Sequence, residues 1–243
     1  MNQLAKLTVL RDEWADCDKC GLCETRRHVV FGDGNPEADI LIVGEAPGAE
    51  EDKTGYPFQG KSGKTLDDFL KVAGLSRETD LFITNVVGCR PTMENVDERT
   101  GELKTENRNP SRKEREACQA RLEETIYIVD PLLIITLGKV AFQALTGKST
   151  IFTKLRGQVQ TIDLPGRHGN VRYPVLPMYH PAFLERTFNF KASGPWGDTG
   201  KDFLMACNII DELRYVYRGI EKPTRVADLD EGKKGEEEDE KEN

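Results

Sequence analysis

Four short, nearly continuous apolar runs limit what this chain can become: Asp39–Gly44 (DILIVG), Leu81–Val87 (LFITNVV), Leu132–Leu137 (LLIITL) and Pro174–Tyr179 (PVLPMY). Each is bounded by Gly, Pro or a polar loop, the pattern of strands buried on both faces, as in a parallel sheet. Helical spacing fills Lys64–Ala73, Arg112–Val129, Lys139–Leu145 and Lys201–Tyr217. The last carries Phe203, Leu204, Cys207, Ile210, Leu213 and Val216 at helical intervals. Ser111 followed by Glu114 is a capping-box signature for the second helix. Strands alternating with helices predict an α/β sandwich built by right-handed crossovers. No linker or repeat divides it, so residues 1–224 read as one domain.

In such sheets ligands gather at the carboxyl ends of the strands. Three segments qualify on pattern alone: GEAPG at Gly44–Gly48, the Asn85–Cys89 region, and His180-Pro181-Ala182.

Net charge is −8, which on its face argues against a nucleic-acid partner. Nine acids and three lysines crowd Asp228–Asn243, however, and the remaining chain is almost neutral, so its basic groups are free to form a local patch. The segment 225–243 is low in complexity and lacks aromatic residues, which predicts a disordered acidic tail. No run approaches the roughly 20 apolar residues that span a bilayer, so no membrane partner is expected. Arg11, Asp12 and Glu13 stand where a signal peptide needs apolar residues, which predicts a cytoplasmic location.

Six cysteines are present: Cys17, Cys20, Cys23, Cys89, Cys118 and Cys207. Without a secretion signal, metal ligation outranks a disulfide framework. Cys17-x-x-Cys20-x-x-Cys23 is dense, Cys89 follows a strand end and Cys118 lies near a helix start, so soft thiolates from separate segments would suit zinc or an iron–sulfur cluster. Cys207 is spaced with the apolar residues of its helix and reads as core. Of the other five, Cys23, just before Thr25-Arg26-Arg27, is the one set aside from a four-cysteine centre.

Gly55–Ser62 (GYPFQGKS) matches the phosphate-binding P-loop letter for letter. A true P-loop springs directly from a strand and cradles phosphate with successive backbone N–H groups. Here ten residues separate the strand end from Gly55, Pro57 has no N–H, and Tyr56 and Phe58 are bulky. No nucleotide triphosphate is expected.

Several segments, in order, resemble the family 4, iron–sulfur, uracil-DNA glycosylases: CDKCGLCETRRHVVFGDGNPEADILIVGEAPGAEED, GYPFQGKSG, TNVVGCRP, NRNPSRKEREAC, LIITLGKVA and HPAFLER. They extend from Cys17 to about Tyr217. The resemblance implies a three-layer sandwich around a central four-stranded parallel sheet, a [4Fe–4S] cluster on Cys17, Cys20, Cys89 and Cys118, and uracil-containing DNA as partner. It implies hydrolysis of the N-glycosidic bond of a flipped-out deoxyuridine, leaving an abasic site for base-excision repair. A monomer is the default for such a fold.

Roles follow by the same resemblance. Gly44, Ala46 and Gly48 would line the sugar and uracil edge, with Glu45 near the base and able to position water. Phe58 resembles the aromatic on which uracil stacks. Asn85 resembles the asparagine that reads uracil, since an amide can donate to a carbonyl and accept from N3–H, which cytosine lacks. His180 resembles the donor to uracil O2 as the anion forms. Phe183, Leu184 and Arg186 would supply a wedge into the base stack and a phosphate contact. Asn107 matches an asparagine near the reaction centre.

The chain departs from the family pattern between Cys89 and Asn107, where Arg90–Glu106 is longer than the usual loop. A related branch forms a covalent DNA adduct through a histidine on an inserted loop near this point. This insertion has no histidine and the first motif is GEAPG rather than GEQPG, so covalent capture is not expected. Acids outnumber bases in the insertion, which favours a flexible spacer as much as a DNA-contacting arm. The competing expectation for the whole chain is a catalytically silent iron–sulfur DNA-binding or accessory protein of the same fold, a virus-encoded one included.

Overall fold

The computed structural model describes residues 1–148, 152–166, 169–187 and 194–220. The acidic tail expected at 225–243 lies outside them. Helix α1 (Gln3–Ala15) and a 3₁₀ turn (Gly21–Glu24) precede β1 (Asp33–Gly34) and β2 (Ile40–Gly44). Next come α2 (Ala49–Thr54), α3 (Lys61–Ala73), β3 (Leu81–Asn85), β4 (Thr92–Val96), β5 (Leu103–Asn107) and α4 (Arg112–Val129). The remainder is β6 (Leu133–Leu137), α5 (Lys139–Thr146), α6 (Phe152–Leu155), β7 (Gln160–Gly166), β8 (Gly169–Met178), α7 (Pro181–Arg186) and α8 (Pro195–Arg218).

The main sheet has six strands in the order β1-β3-β2-β6-β8-β7. β3, β2, β6 and β8 pair in parallel, whereas β1 and β7 add antiparallel edges. The sheet is therefore mixed, not a parallel sheet of four. Neither edge strand carries an apolar run: β1 is two residues long, and β7 is an outer strand in which Ile162 is buried among exposed and half-buried residues. Alternation along the central strands sends side chains into two cores. Leu41 and Val43 of β2 pack with Leu7, Trp14, Leu122 and Ile126 of α1 and α4. Ile40 and Ile42 pack on the other face with Leu66, Leu70, Phe203 and Ile210 of α3 and α8.

The capping box of α4 forms as expected: Ser111 Oγ accepts the Glu114 N–H at 3.3 Å, and Glu114 Oε2 accepts the Ser111 N–H at 2.6 Å. Arg108 binds both Glu114 oxygens and holds that carboxyl down to about 2. Cys207 is buried, with its Sγ 3.5 Å from the Ala73 carbonyl.

The Arg90–Glu106 insertion is not a spacer without structure. β4 and β5 pair in antiparallel register from Thr92↔Asn107 to Val96↔Leu103, closed by a turn in which Asp97 Oδ1 accepts the Arg99 and Thr100 N–H groups. Among the described residues, no helix is long and apolar enough to cross a membrane.

Candidate active site

The carboxyl ends of β2, β3 and β8 open onto one cleft of about 730 Å³. Glu45, Ala46, Gly48, Phe58, Asn85, Asn107, His180, Phe183 and Arg186 all line it. Gly44 lies directly beneath. A Cβ at Gly44 would stand 2.3 Å from Asn85 Oδ1 and 2.8 Å from Phe58 Cζ, so only glycine lets those two side chains converge.

Asn85 ends β3 and is buried, and its Oδ1 has no hydrogen-bond partner among the described residues. A buried polar atom left unpaired is costly unless a ligand completes it. The chain leaves the sheet here because the Val86 and Val87 N–H groups donate to the Gly44 and Glu45 carbonyls, tying the Asn85 segment to the GEAPG loop. The apolar run to Val87 overestimates the strand for this reason.

Phe58 is buried with φ +53, a left-handed conformation that costs a bulky residue about 1–3 kcal/mol. Arg77 holds it there, donating to the carbonyls of Pro57, Phe58 and Gly63 at 3.1–3.3 Å. The Phe58 ring lies 5.9 Å from the His180 ring at 29°.

His180 follows β8 and caps α7. Its Nδ1 accepts the Ala182 N–H at 3.1 Å, which leaves the proton of the neutral ring on Nε2. Burial pushes the ring's pKa down to about 4, assisted by Arg186 and opposed by Glu51. Glu45 is shifted upward by burial, with Arg115 and Arg186 acting against the shift. The site thus holds a neutral imidazole, a carboxyl less acidic than usual and an unpaired amide oxygen.

Glu51 organises the loops. Its Oε2 accepts the Gly48 N–H at 3.0 Å, and its Oε1 accepts the Gln59 and Gly60 N–H groups at 2.9 and 3.0 Å. One carboxylate therefore laces the GEAPG loop to the Phe58 loop. It also occupies N–H groups that a P-loop would offer to phosphate. Nothing about Glu51 stood out in the sequence, although its place three residues after a helix-capping glycine is the available signal.

Asn107 is exposed at the root of the hairpin, with Oδ1 accepting from Arg90 Nε at 2.7 Å. Phe183 is 39% exposed on the rim, stacked 5.1 Å from Tyr179. Leu184 corrects an expectation. It is fully buried in the core shared with α3 and α8, because successive residues of the short α7 helix face different sides. It cannot wedge into DNA from there.

The cysteines lie apart from the cleft. Cys17 and Cys20 are half-buried beside the 3₁₀ turn, Cys89 follows β3, and Cys118 is buried on α4. Burial pushes the Cys89 thiol up to about 11, with Arg26 opposing and Cys118 and Cys20 adding to the rise. Cys20 is raised by burial and also feels Cys118 and Cys17. Among the described residues, no three His, Cys, Asp or Glu side chains are gathered as they would be around a single metal ion. Cys118 nevertheless influences both Cys20 and Cys89, and Cys17 influences Cys20, so thiols from three segments share one neighbourhood.

The family model of the uracil DNA glycosylase superfamily matches residues 31–196. The type-4 uracil-DNA glycosylase of Sulfurisphaera tokodaii is 38% identical over 181 residues, spanning 72% of this chain and 74% of that protein. The type-4 enzyme of Thermotoga maritima is 37% identical over 181 residues, 74% of this chain and 83% of that one. A type-5 uracil-DNA glycosylase of Thermus thermophilus matches a shorter stretch, 31% identical over 130 residues, 48% of this chain and 53% of its own. The family model, whose match takes in the cleft from Gly44 to His180, and the extent of the type-4 matches establish that this chain belongs to the uracil DNA glycosylase superfamily, on its type-4 branch.

Proposed function

We propose that this chain is a uracil-DNA glycosylase of base-excision repair, acting on deoxyuridine flipped out of DNA. The observation that carries the proposal is the convergence of the unpartnered Asn85 Oδ1, the Phe58 ring and a neutral His180 on one cleft. Uracil would stack on Phe58 and give its N3–H to Asn85 Oδ1. Breakage of the C1′–N1 bond leaves the electron pair on uracil, and the anion's O2 takes a hydrogen bond from His180 Nε2–H. A neutral donor suits this task, because the proton stays on histidine while the charge is stabilised. Water adds to C1′ of the cationic sugar, positioned by Asn107 and Glu45, and its proton passes to the Glu45 carboxylate. Gly44, Ala46 and Gly48 let the sugar approach the backbone. Phe183 fits the apolar wedge and Arg186 the phosphate contact.

Cys17, Cys20, Cys89 and Cys118 would hold a [4Fe–4S] cluster. Bound there, the cluster supplies a covalent tie between three segments and stabilises thiolates that burial otherwise disfavours. All steps at the sugar belong to the cleft residues.

The test uses a labelled oligonucleotide with one central deoxyuridine beside a thymidine control. Strand cleavage only after alkali, only at deoxyuridine, and slowed about a hundredfold or more but still measurable under single-turnover conditions in Asn85→Ala and His180→Ala is the expected result. An intact strand with folded, iron-loaded protein would overturn the enzyme in favour of a silent accessory protein. A heat-stable protein–DNA band would replace hydrolysis with covalent capture.

A further inference from the structure

Arg121 is the largest side chain in the described protein with essentially no exposed surface, and all its hydrogen-bond partners are neutral. From α4, one turn after Cys118, its Nη1 donates to the Phe31 carbonyl at 3.1 Å and to Thr84 Oγ1 at 3.0 Å. Its Nη2 donates to the carbonyls of Asn85 and Val86. The Nε atom is buried without a partner among the described residues. A guanidinium taken out of water and given only neutral acceptors is a poor stabilising device by itself.

The carbonyls it holds belong to the residues where β3 stops. On the opposite side of the same peptide units, the Val86 and Val87 N–H groups bind the GEAPG loop. The Asn85 main chain is thereby clamped between α4 and the first motif, and its side-chain oxygen lies 2.3 Å from where a Gly44 Cβ would be. We propose that Arg121 is a positioning residue for uracil recognition: its grip on the Asn85–Val86 backbone sets the amide of Asn85 in the cleft. The inference rests on the glycosylase reading and on Asn85 as the base reader.

A double-mutant cycle tests it. Single-turnover uracil excision is measured for the unaltered protein, Arg121→Lys, Asn85→Ala and the double variant, each checked for visible absorbance per chain and for melting temperature. Arg121→Lys should slow excision about tenfold where Asn85 is present and less than about twofold where it is absent. A merely structural arginine would cost the same factor in both backgrounds, and that result, or no loss at all, overturns the inference. If Arg121→Lys does not fold, Thr84→Val, which removes one acceptor of the guanidinium, goes through the same cycle with the same criterion. Failure of the unaltered protein to excise uracil would instead overturn the glycosylase reading itself, so the two failures are distinguishable.

Discussion

His180 Nδ1 accepts the backbone N–H of Ala182, and this bond fixes which nitrogen of the ring carries the proton toward the cleft. Protonating the ring would break that bond and place a charge near Arg186. The folded value lies near 4 against 6.5 for the free side chain, so the unfolded chain takes up the proton first as pH falls. The stability from this ring is fully present above about pH 6.5 and is lost as pH falls through about 4, a total of about 3 kcal/mol. The melting temperature should therefore drop across this interval, and drop less in His180→Gln. Equal slopes in the two proteins would exclude His180 as the source.

Glu45 is shifted in the opposite sense, with burial raising it against the pull of Arg115 and Arg186. A carboxylate that receives the water proton works only when ionised, so the excision rate should fall on the acid side along the titration of Glu45. Glu45→Gln should lower the single-turnover rate about a hundredfold and flatten the acid limb. A limb that survives the substitution belongs to another group.

Strand ends made the centre of this site legible. Asn85 and His180 follow buried apolar runs, and the topology delivers such positions to one edge of the sheet. The groups that hold them were not legible, because their partners are backbone atoms far along the chain: Arg77 reaches the Phe58 loop and Arg121 reaches Asn85 without any local pattern. The β4–β5 hairpin was hidden for a related reason. Its strands, TMENV and LKTEN, are almost wholly exposed and have no apolar alternation, and their pairing depends on the Asp97 turn and on backbone bonds. Leu184 failed for want of a helix: once Pro181–Arg186 is helical, adjacent residues point to different sides, and of the two apolar candidates Phe183 stays at the rim while Leu184 turns into the core.

Gly44 is a specific liability for the site. Alanine there would meet Asn85 Oδ1 and the Phe58 ring at distances that real Cβ atoms do not show. Neither neighbour can yield easily, since Phe58 is pinned through Arg77 and the Asn85 backbone through Arg121. Gly44→Ala should cost about 1–3 kcal/mol of stability and reduce excision about a hundredfold through displacement of the reading groups. Melting and single-turnover assays on the same preparation check it, and near-native activity would refute the close packing.

Glu51 should behave as a loop fastener with no contact to the reacting bond. Glu51→Ala leaves the Gly48, Gln59 and Gly60 N–H groups without their acceptor, at a cost of about 2–4 kcal/mol. Glu51→Gln keeps one carbonyl oxygen and should recover part of that stability. The expected kinetic signature is weaker substrate binding with a smaller loss in the bound-state rate, because the loops carrying Gly48 and Phe58 separate before the substrate arrives. An unchanged melting temperature in Glu51→Ala would rule the fastening out.

The cysteines provide a prediction that can be read without any DNA. Cys20 feels Cys17 and Cys118, and Cys89 feels Cys118 and Cys20, so these four thiols form one connected electrostatic group. Cys23 is half-buried in the adjacent 3₁₀ turn and appears in neither set of neighbours, although the spacing of the three N-terminal cysteines alone would admit it. Cys17→Ser, Cys20→Ser, Cys89→Ser and Cys118→Ser should each abolish most of the visible absorbance of the purified protein. Cys118→Ser and Cys89→Ser should also destabilise it most, since those side chains are buried whereas Cys17 and Cys20 are half-buried. Cys23→Ser should leave iron content, absorbance and melting unchanged. A colourless Cys23→Ser protein beside a coloured Cys17→Ser protein would exchange those two ligands, and full colour in all the single variants would dismiss a four-cysteine cluster.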